Sequence, residues 1–328
     1  FERYDYNENK VYIGRMGGVP DNAGVTVSKR LFAPRVGFAY RLGNKTVIRS
    51  GYGITVDPFP TARPMRSPYP VVIWSDHEGV NTFQPYWGIE KGIPPIVGPD
   101  ITKGIIDIPP TVGSRTVPKG LYDRGYIQSW NLIYERQLPS NFVGSVGYVG
   151  TRSIRQIAMY ELNAAPPGGG SAGRELYKKF GRSASTQLVI PWHTVAYDSM
   201  QATLDRRFAA GLMMKTAYTW SHAIGYQENS YEGTVYFAHP SVHYRQRGTQ
   251  SYDRTQVFRN AVIYELPFGA NKKWASGGAG KALLGGWQIN TILSAYSGTP
   301  FTVTASGASL NAPGNTQVAD QVKPEVNK

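Results

Sequence analysis

His239-Pro-Ser-Val-His243 places two imidazoles four residues apart, the spacing in this sequence closest to a metal site. On a helix both rings would share a face and could bridge a divalent ion. Pro240 and the surrounding loop composition argue against a helix, and no Glu or Cys joins the pair. Exposed loop histidines are therefore expected, with no metal. Glu228 and Glu232 could act as a carboxylate pair. Nothing places a general acid beside them, so solvated loop carboxylates are the plainer expectation. No G-x-S-x-G motif, P-loop or dinucleotide fingerprint occurs. These residues predict no enzyme activity and no cofactor.

Two other sets are more informative. Arg35, Arg41, Arg49, Glu135, Asp205, Arg207, Lys215, Arg259 and Glu265 fall on the polar side of alternating stretches. In hydrocarbon each would be costly, so they are expected to line a wet or plug-filled lumen. There they would form a salt-bridge lattice that holds the wall and docks a plug, or a path for solute. Tyr69, Trp74, Tyr86, Trp87, Trp192 and Tyr197 fall between strands and are expected on outer loops. Their rings could stack on a sugar or planar ligand, or pack on one another.

The elements that position these residues show best at 198–221. Met200, Ala202, Leu204 and Phe208 alternate with Ser199, Gln201, Thr203, Asp205 and Arg207, with Arg206 the one charge on the apolar side. After Ala209-Ala210-Gly211, residues Leu212, Met214, Thr216, Tyr218 and Trp220 alternate with Met213, Lys215, Ala217, Thr219 and Ser221. A helix would mix these sets, whereas a strand separates them. Each arm runs about ten residues, against five or six in ordinary strands and roughly 9–11 for a tilted bilayer crossing. Tyr218 and Trp220 end the apolar face, where a barrel carries its interfacial aromatics.

The same alternation recurs at 35–42, 46–56, 129–138, 142–150, 256–266 and 287–296. Residues 1–8 read as a strand end. Residues 9–33, 57–127, 151–196 and 222–253 read as loops, 57–127 being crowded with prolines. The tail 298–328 is polar, with no strand expected after about residue 304. Connections alternate in length: short at 43–45, 139–141 and 209–211, intermediate at 267–285, long elsewhere. One alternating strand alone would suggest a half-buried sheet. Loops sorted by end predict an all-β, antiparallel transmembrane β-barrel with short periplasmic turns and long extracellular loops.

Composition agrees. No run approaches 18 apolar residues, which excludes a transmembrane helix but not a barrel. Cys 0 forbids disulfides and thiolate metal sites. The net charge of +13 is dispersed, with no Lys/Arg run of five, and argues against nucleic acid. It suits anionic lipid headgroups and lipopolysaccharide, or a pore for an acidic solute. Phe1-Glu-Arg-Tyr opens as if in mid-strand, with no signal-peptide pattern, so a processed or partial product is expected.

The stretches FAPRVGFAYRLGNKTVIRSGYGI (32–54), SWNLIYERQLPSNFVGSVGYVGTRS (129–153), DSMQATLDRRFAAGLMMKTAYTWSHAI (198–224), YDRTQVFRNAVIYELPFG (252–269) and GGWQINTILSAYSGTPFTV (285–303) carry a resemblance. The chain resembles the barrel region of large TonB-dependent receptors of Acidobacteria-like Gram-negatives, the Oar-like group with an N-terminal carboxypeptidase-regulatory-like domain. These are scaffold motifs and identify no ligand. The resemblance implies a barrel of about 22 strands, of which residues 1–328 would be one partial barrel domain without the plug domain or the final strands. It also implies energy coupling through the TonB complex. Three readings stay open: import of a scarce nutrient, an adhesive surface protein or multi-copy assembly with other copies or envelope proteins, and a soluble β-sheet binding protein.

Overall fold

The computed structural model describes residues 1–328 except 57–68, 74–82, 84–87, 93–94, 227–234, 321 and 323–328. Eight long strands dominate it: β1 Arg35–Leu42, β2 Thr46–Val56, β3 Tyr126–Gln137, β4 Phe142–Glu161, β5 Thr186–Ala209, β6 Leu212–Gly225, β7 Gln256–Glu265 and β8 Gln288–Tyr296. Each pairs antiparallel with its neighbour in chain order, giving one up-and-down wall. Ser114–Thr116 pairs parallel with the start of β5, and Gly248–Thr249 pairs with the end of β6.

The register carries the sidedness. One row crosses all eight strands as Arg41, Val47, Glu135, Ser145, Thr203, Ala217, Arg259 and Ser294. The adjacent row, on the opposite face, reads Tyr40, Ile48, Tyr134, Val146, Ala202, Tyr218, Phe258 and Ala295. A slip of one residue in any pair would send charge to the greasy side, so the pattern pins the pairing. Among the described residues the apolar face carries no packed layer: Tyr40 is 61% exposed, Trp220 56% and Trp287 61%. Leu204 and Met214 are half-buried rather than buried. With lipid as the only apolar medium on offer, this is the outward face of a membrane wall.

Local chemistry shapes the wall. Ala210 (φ 49°) and Gly211 (φ 80°) close the β5–β6 hairpin in the left-handed region, which matches the strand twist of a two-residue turn. At Gly150 a Cβ would sit 2.6 Å from the Trp130 ring, so glycine lets that indole lie flat on the sheet.

The packed apolar cores lie at the end of the wall opposite the short turns. Tyr4, Val11, Ile13, Tyr69, Ile106 and Ile108 form one, and Val25, Val117, Tyr122, Ile157 and Val189 another. They are built by short strands that alternation alone misses. Glu2–Asp5, Lys10–Ile13 and Ile105–Asp107 make one small sheet, and Val25–Val27 with Gly120–Tyr122 a second. Residues 9–33 and the described part of 57–127 are therefore not structureless, as expected, but form a packed cap. Strands of three or four residues are too short for periodicity to mark.

The expected loop 151–196 is also corrected: β4 and β5 run on as a paired overhang, and only 162–185 connects them. Two register shifts around Gln156, with Arg155 at φ 56°, reverse the alternation there, and Pro191 sits inside β5. A bulge hides a strand from a period-two reading. Similarly, 267–285 holds a short helix, Gly278–Leu284. The tail, expected to carry no strand after about 304, has one isolated bridge, Thr304 with Val318, and then laces onto the outer connections. Asn315 Nδ2 donates to the Ala165 carbonyl (2.8 Å), Ala165 N to the Pro313 carbonyl (2.8 Å), and His239 N to Asn315 Oδ1 (2.8 Å).

Candidate functional site

The nine charged residues expected in the lumen share the face opposite the apolar one. Arg49 Nη2 lies 3.6 Å from Glu135, Lys272 Nζ donates to Glu265 (2.7 Å), and Asp205 stands directly across from Lys215. Arg35, Arg41, Arg207 and Arg259 make no ion pair among the described residues. Among the nine, one ion pair forms, Arg49 with Glu135; Glu265 takes its cation from Lys272, outside the set, and Asp205 and Lys215 share a register position. Six cations face three acids in this set, and four of the guanidiniums have no acid partner, so the lumenal face is cationic.

Near the outer rim of this face, β5, β6, β7 and the segment 252–254 line an open cavity of about 380 Å³. Tyr197, Thr219, Ser221, Tyr252, Asp253 and Arg259 are among the residues that line it. Asp253 clamps the rim: its carboxylate accepts from Ala223 N (2.7 Å), lies 3.4 Å from His222 Nδ1 and 3.5 Å from Thr255 Oγ1.

On the apolar face two polar rows bound the band. At one edge Arg206 Nε donates to the Ser140 carbonyl (3.1 Å) and its guanidinium covers the Phe142 ring. At the other, Asp198 accepts from the Tyr148 hydroxyl and pairs with Arg152 (3.1 Å), which lies over Trp130. Asp198 and Arg206 are eight residues apart on β5. That is about 26 Å of strand, or about 20 Å of height at a 35–45° tilt, close to an outer-membrane band.

Beyond this band stands the cap. Its linchpin, missed by the sequence reading, is Arg182, which is fully buried. Its Nε donates to Thr186 Oγ1 (2.7 Å), Nη1 to the Pro109 carbonyl (3.2 Å) and Nη2 to the Val112 carbonyl (2.6 Å), with the guanidinium over Tyr4. Glu161 completes the knot by accepting from Asn163 N (3.0 Å), Thr186 N (2.8 Å) and the Ser185 hydroxyl.

Of the expected loop aromatics, the three among the described residues, Tyr69, Trp192 and Tyr197, take different places. Tyr69 is buried in the first cap core, so its role is packing. Trp192 is on the β5 overhang, stacked on His243 with centroids 4.0 Å apart and edge-on to Tyr160. Tyr197 is on β5 itself, facing the lumenal cavity. Trp74, Tyr86 and Trp87, like Glu228 and Glu232, lie outside the described residues. His239 and His243 do not converge: His239 Nδ1 meets Ser241 Oγ and His243 Nδ1 meets the Phe237 carbonyl. Among the described residues no cluster of three His, Asp or Glu could hold a metal.

His193, Trp192, Tyr226 and His243 form a tier of near-parallel rings above the band. Burial, and then the charge of His243, push His193 down from 6.5 to about 4. The unfolded chain therefore binds more protons between those values, and the folded tier weakens as pH falls from 6.5 to 4. It is unaffected above 6.5. The full loss is about 3 kcal/mol. Protection factors at 186–193, corrected for the intrinsic exchange rate at each pH, should fall across that window, and His193→Phe should reduce the fall; an unchanged profile in the variant would refute the assignment.

Sequence comparison then decides the family: the outer membrane beta barrel domain matches residues 1–328, the whole chain. The chain belongs to that family. This outer membrane beta barrel domain is accordingly a bacterial outer-membrane protein, as its two-faced wall demands, and the soluble alternative falls away. No curated protein matches its sequence. Three solved structures are similar in fold. The outer membrane transporter YddB from Escherichia coli gives a TM-score of 0.43 at 7% identity, over 84% of this chain and 30% of that one. The FrpB iron transporter from Neisseria meningitidis (F3-3 variant) gives 0.38 at 12%, over 86% and 32%. The FpvAI–pyocin S2 complex gives 0.35 at 10%, over 76% and 21%. The domain spans less than a third of each of those chains.

Proposed function

We infer that this domain is part of the wall of an outer-membrane receptor that captures a scarce nutrient and imports it. The observation that carries the reading is the lumenal face: polar, unpacked and cation-rich, it suits a wet passage or a plug surface rather than a filled core. The resemblance to Oar-like TonB-dependent receptors supports energy coupling through TonB, and the outward face supports lipid and lipopolysaccharide as neighbours. Cells expressing the receptor should outgrow a null strain on at least one limiting solute, and a protonophore should abolish the advantage. Equal growth of the two strains across a panel of carbon, phosphorus and metal sources would overturn import.

A second reading, adhesion or multi-copy assembly, draws on the two edge strands. Among the described residues β1 and β8 end the sheet, each paired on one side only, so each edge can take another strand. Cross-linking in intact cells separates the readings, because assembly predicts β1–β8 links between copies.

A further inference from the structure

We propose that the outer-rim cavity on the lumenal face binds a small oxyanion, a carboxylate or a phosphate, through Arg259. This deepens the import reading by assigning the chemistry of its solute, and rests on it only for the claim that the bound group is cargo.

The inventory of free groups carries the inference. At about 380 Å³ the cavity lies at the small end of ligand sites. Its one carboxylate, Asp253, is buried, accepting from Ala223 N (2.7 Å), with His222 Nδ1 3.4 Å and Thr255 Oγ1 3.5 Å away. The Ser221 hydroxyl donates to the Arg254 carbonyl (3.1 Å), and Arg254 itself turns away, donating to the Ser297 carbonyl (3.1 Å) and lying over the Tyr296 ring. What remains is the Arg259 guanidinium with the hydroxyls of Tyr197, Thr219 and Tyr252, none of which has a side-chain partner among the described residues.

A site with one free guanidinium, three free hydroxyls and no free acid selects by charge. The planar fork matches carboxylate or phosphate oxygens in pairs, and the hydroxyls can donate to those left over. A neutral sugar would leave the guanidinium unmatched, and a cation would be repelled. Register explains the setting. Arg259 faces Ala217 on one side and Ser294 on the other, so no cross-strand acid neutralises it, unlike Lys215 opposite Asp205.

The test is calorimetric titration of the full chain, folded in detergent at low salt, with inorganic phosphate, succinate and glycerol. Saturable binding is expected for at least one anion and none for glycerol; which anion binds identifies the source of the oxyanion. Arg259→Gln should weaken it at least tenfold. Lys45→Gln, which removes the same charge from a short turn, should leave it unchanged. If Arg259→Gln does not fold, Thr219→Val tests the same cavity and should weaken binding severalfold. Equal weakening by Arg259→Gln and Lys45→Gln, undiminished binding in the pocket variant, or no saturable binding would overturn the proposal. Solute uptake measured in parallel separates it from the import reading. Binding lost with uptake intact refutes the cargo role of this site alone, and binding intact without uptake refutes import alone.

Discussion

Arg182→Met is expected to cost about 3–5 kcal/mol and to detach the cap from the wall while leaving the membrane band folded. The side chain is fully buried, and its three donors reach Thr186 and the carbonyls of Pro109 and Val112. These acceptors belong to segments more than 70 positions apart in sequence. Methionine fills similar volume but donates nothing, so Thr186 Oγ1 and the Val112 carbonyl lose this donor, while the Pro109 carbonyl keeps only Val112 N. Glu161, whose field favours the guanidinium, loses its nearby cation. Arg182→Lys keeps the charge without the fork and should recover only part of the loss. Hydrogen exchange resolves the outcome: residues 1–13, 101–116 and 186–188 should lose protection together, with 198–225 unchanged. If protection in the cap were untouched, the linchpin role would be wrong.

The second large effect concerns sidedness. Ala202→Arg should oppose insertion by about 2–4 kcal/mol, whereas Ala217→Arg should change it little. Both are alanines on adjacent strands, but Ala202 lies on the apolar row and Ala217 on the charged one. Ala202 is midway between Asp198 and Arg206 on β5, where hydrocarbon is deepest. Folding into phospholipid vesicles, followed by heat-modifiable gel mobility, reads the difference directly. Similar penalties at both positions would mean that both faces are equally dry, and the membrane wall would have to be abandoned.

The two faces were legible in the sequence because side-chain direction in a strand is set by parity alone. Leu204 and Asp205 needed no tertiary information to be told apart. The overhang was not legible, because Arg155 and its bulge shift the parity midway along β4. Trp192 and Tyr197 were accordingly placed on a loop, although both are strand residues. Arg182 was invisible for another reason: Gly181-Arg182-Ser183-Ala184-Ser185 has the composition of a solvated turn, and only contacts from distant segments bury it. Tyr69 was masked likewise, by prolines that mark the chain as irregular without showing that it packs. In the cavity Arg259 and Tyr197 were both singled out, but Tyr252 and Asp253 stand just before the strand and carried no periodic signal.

The overhang has a consequence in reach. Thr186 lies twelve residues beyond Asp198 on the same strand, which is about 40 Å of backbone and about 30 Å of height at barrel tilt. The paired β4 and β5 act as a mast that carries the cap clear of the headgroups. Anything approaching from the medium touches that raised crown first, and only afterwards the mouth below it.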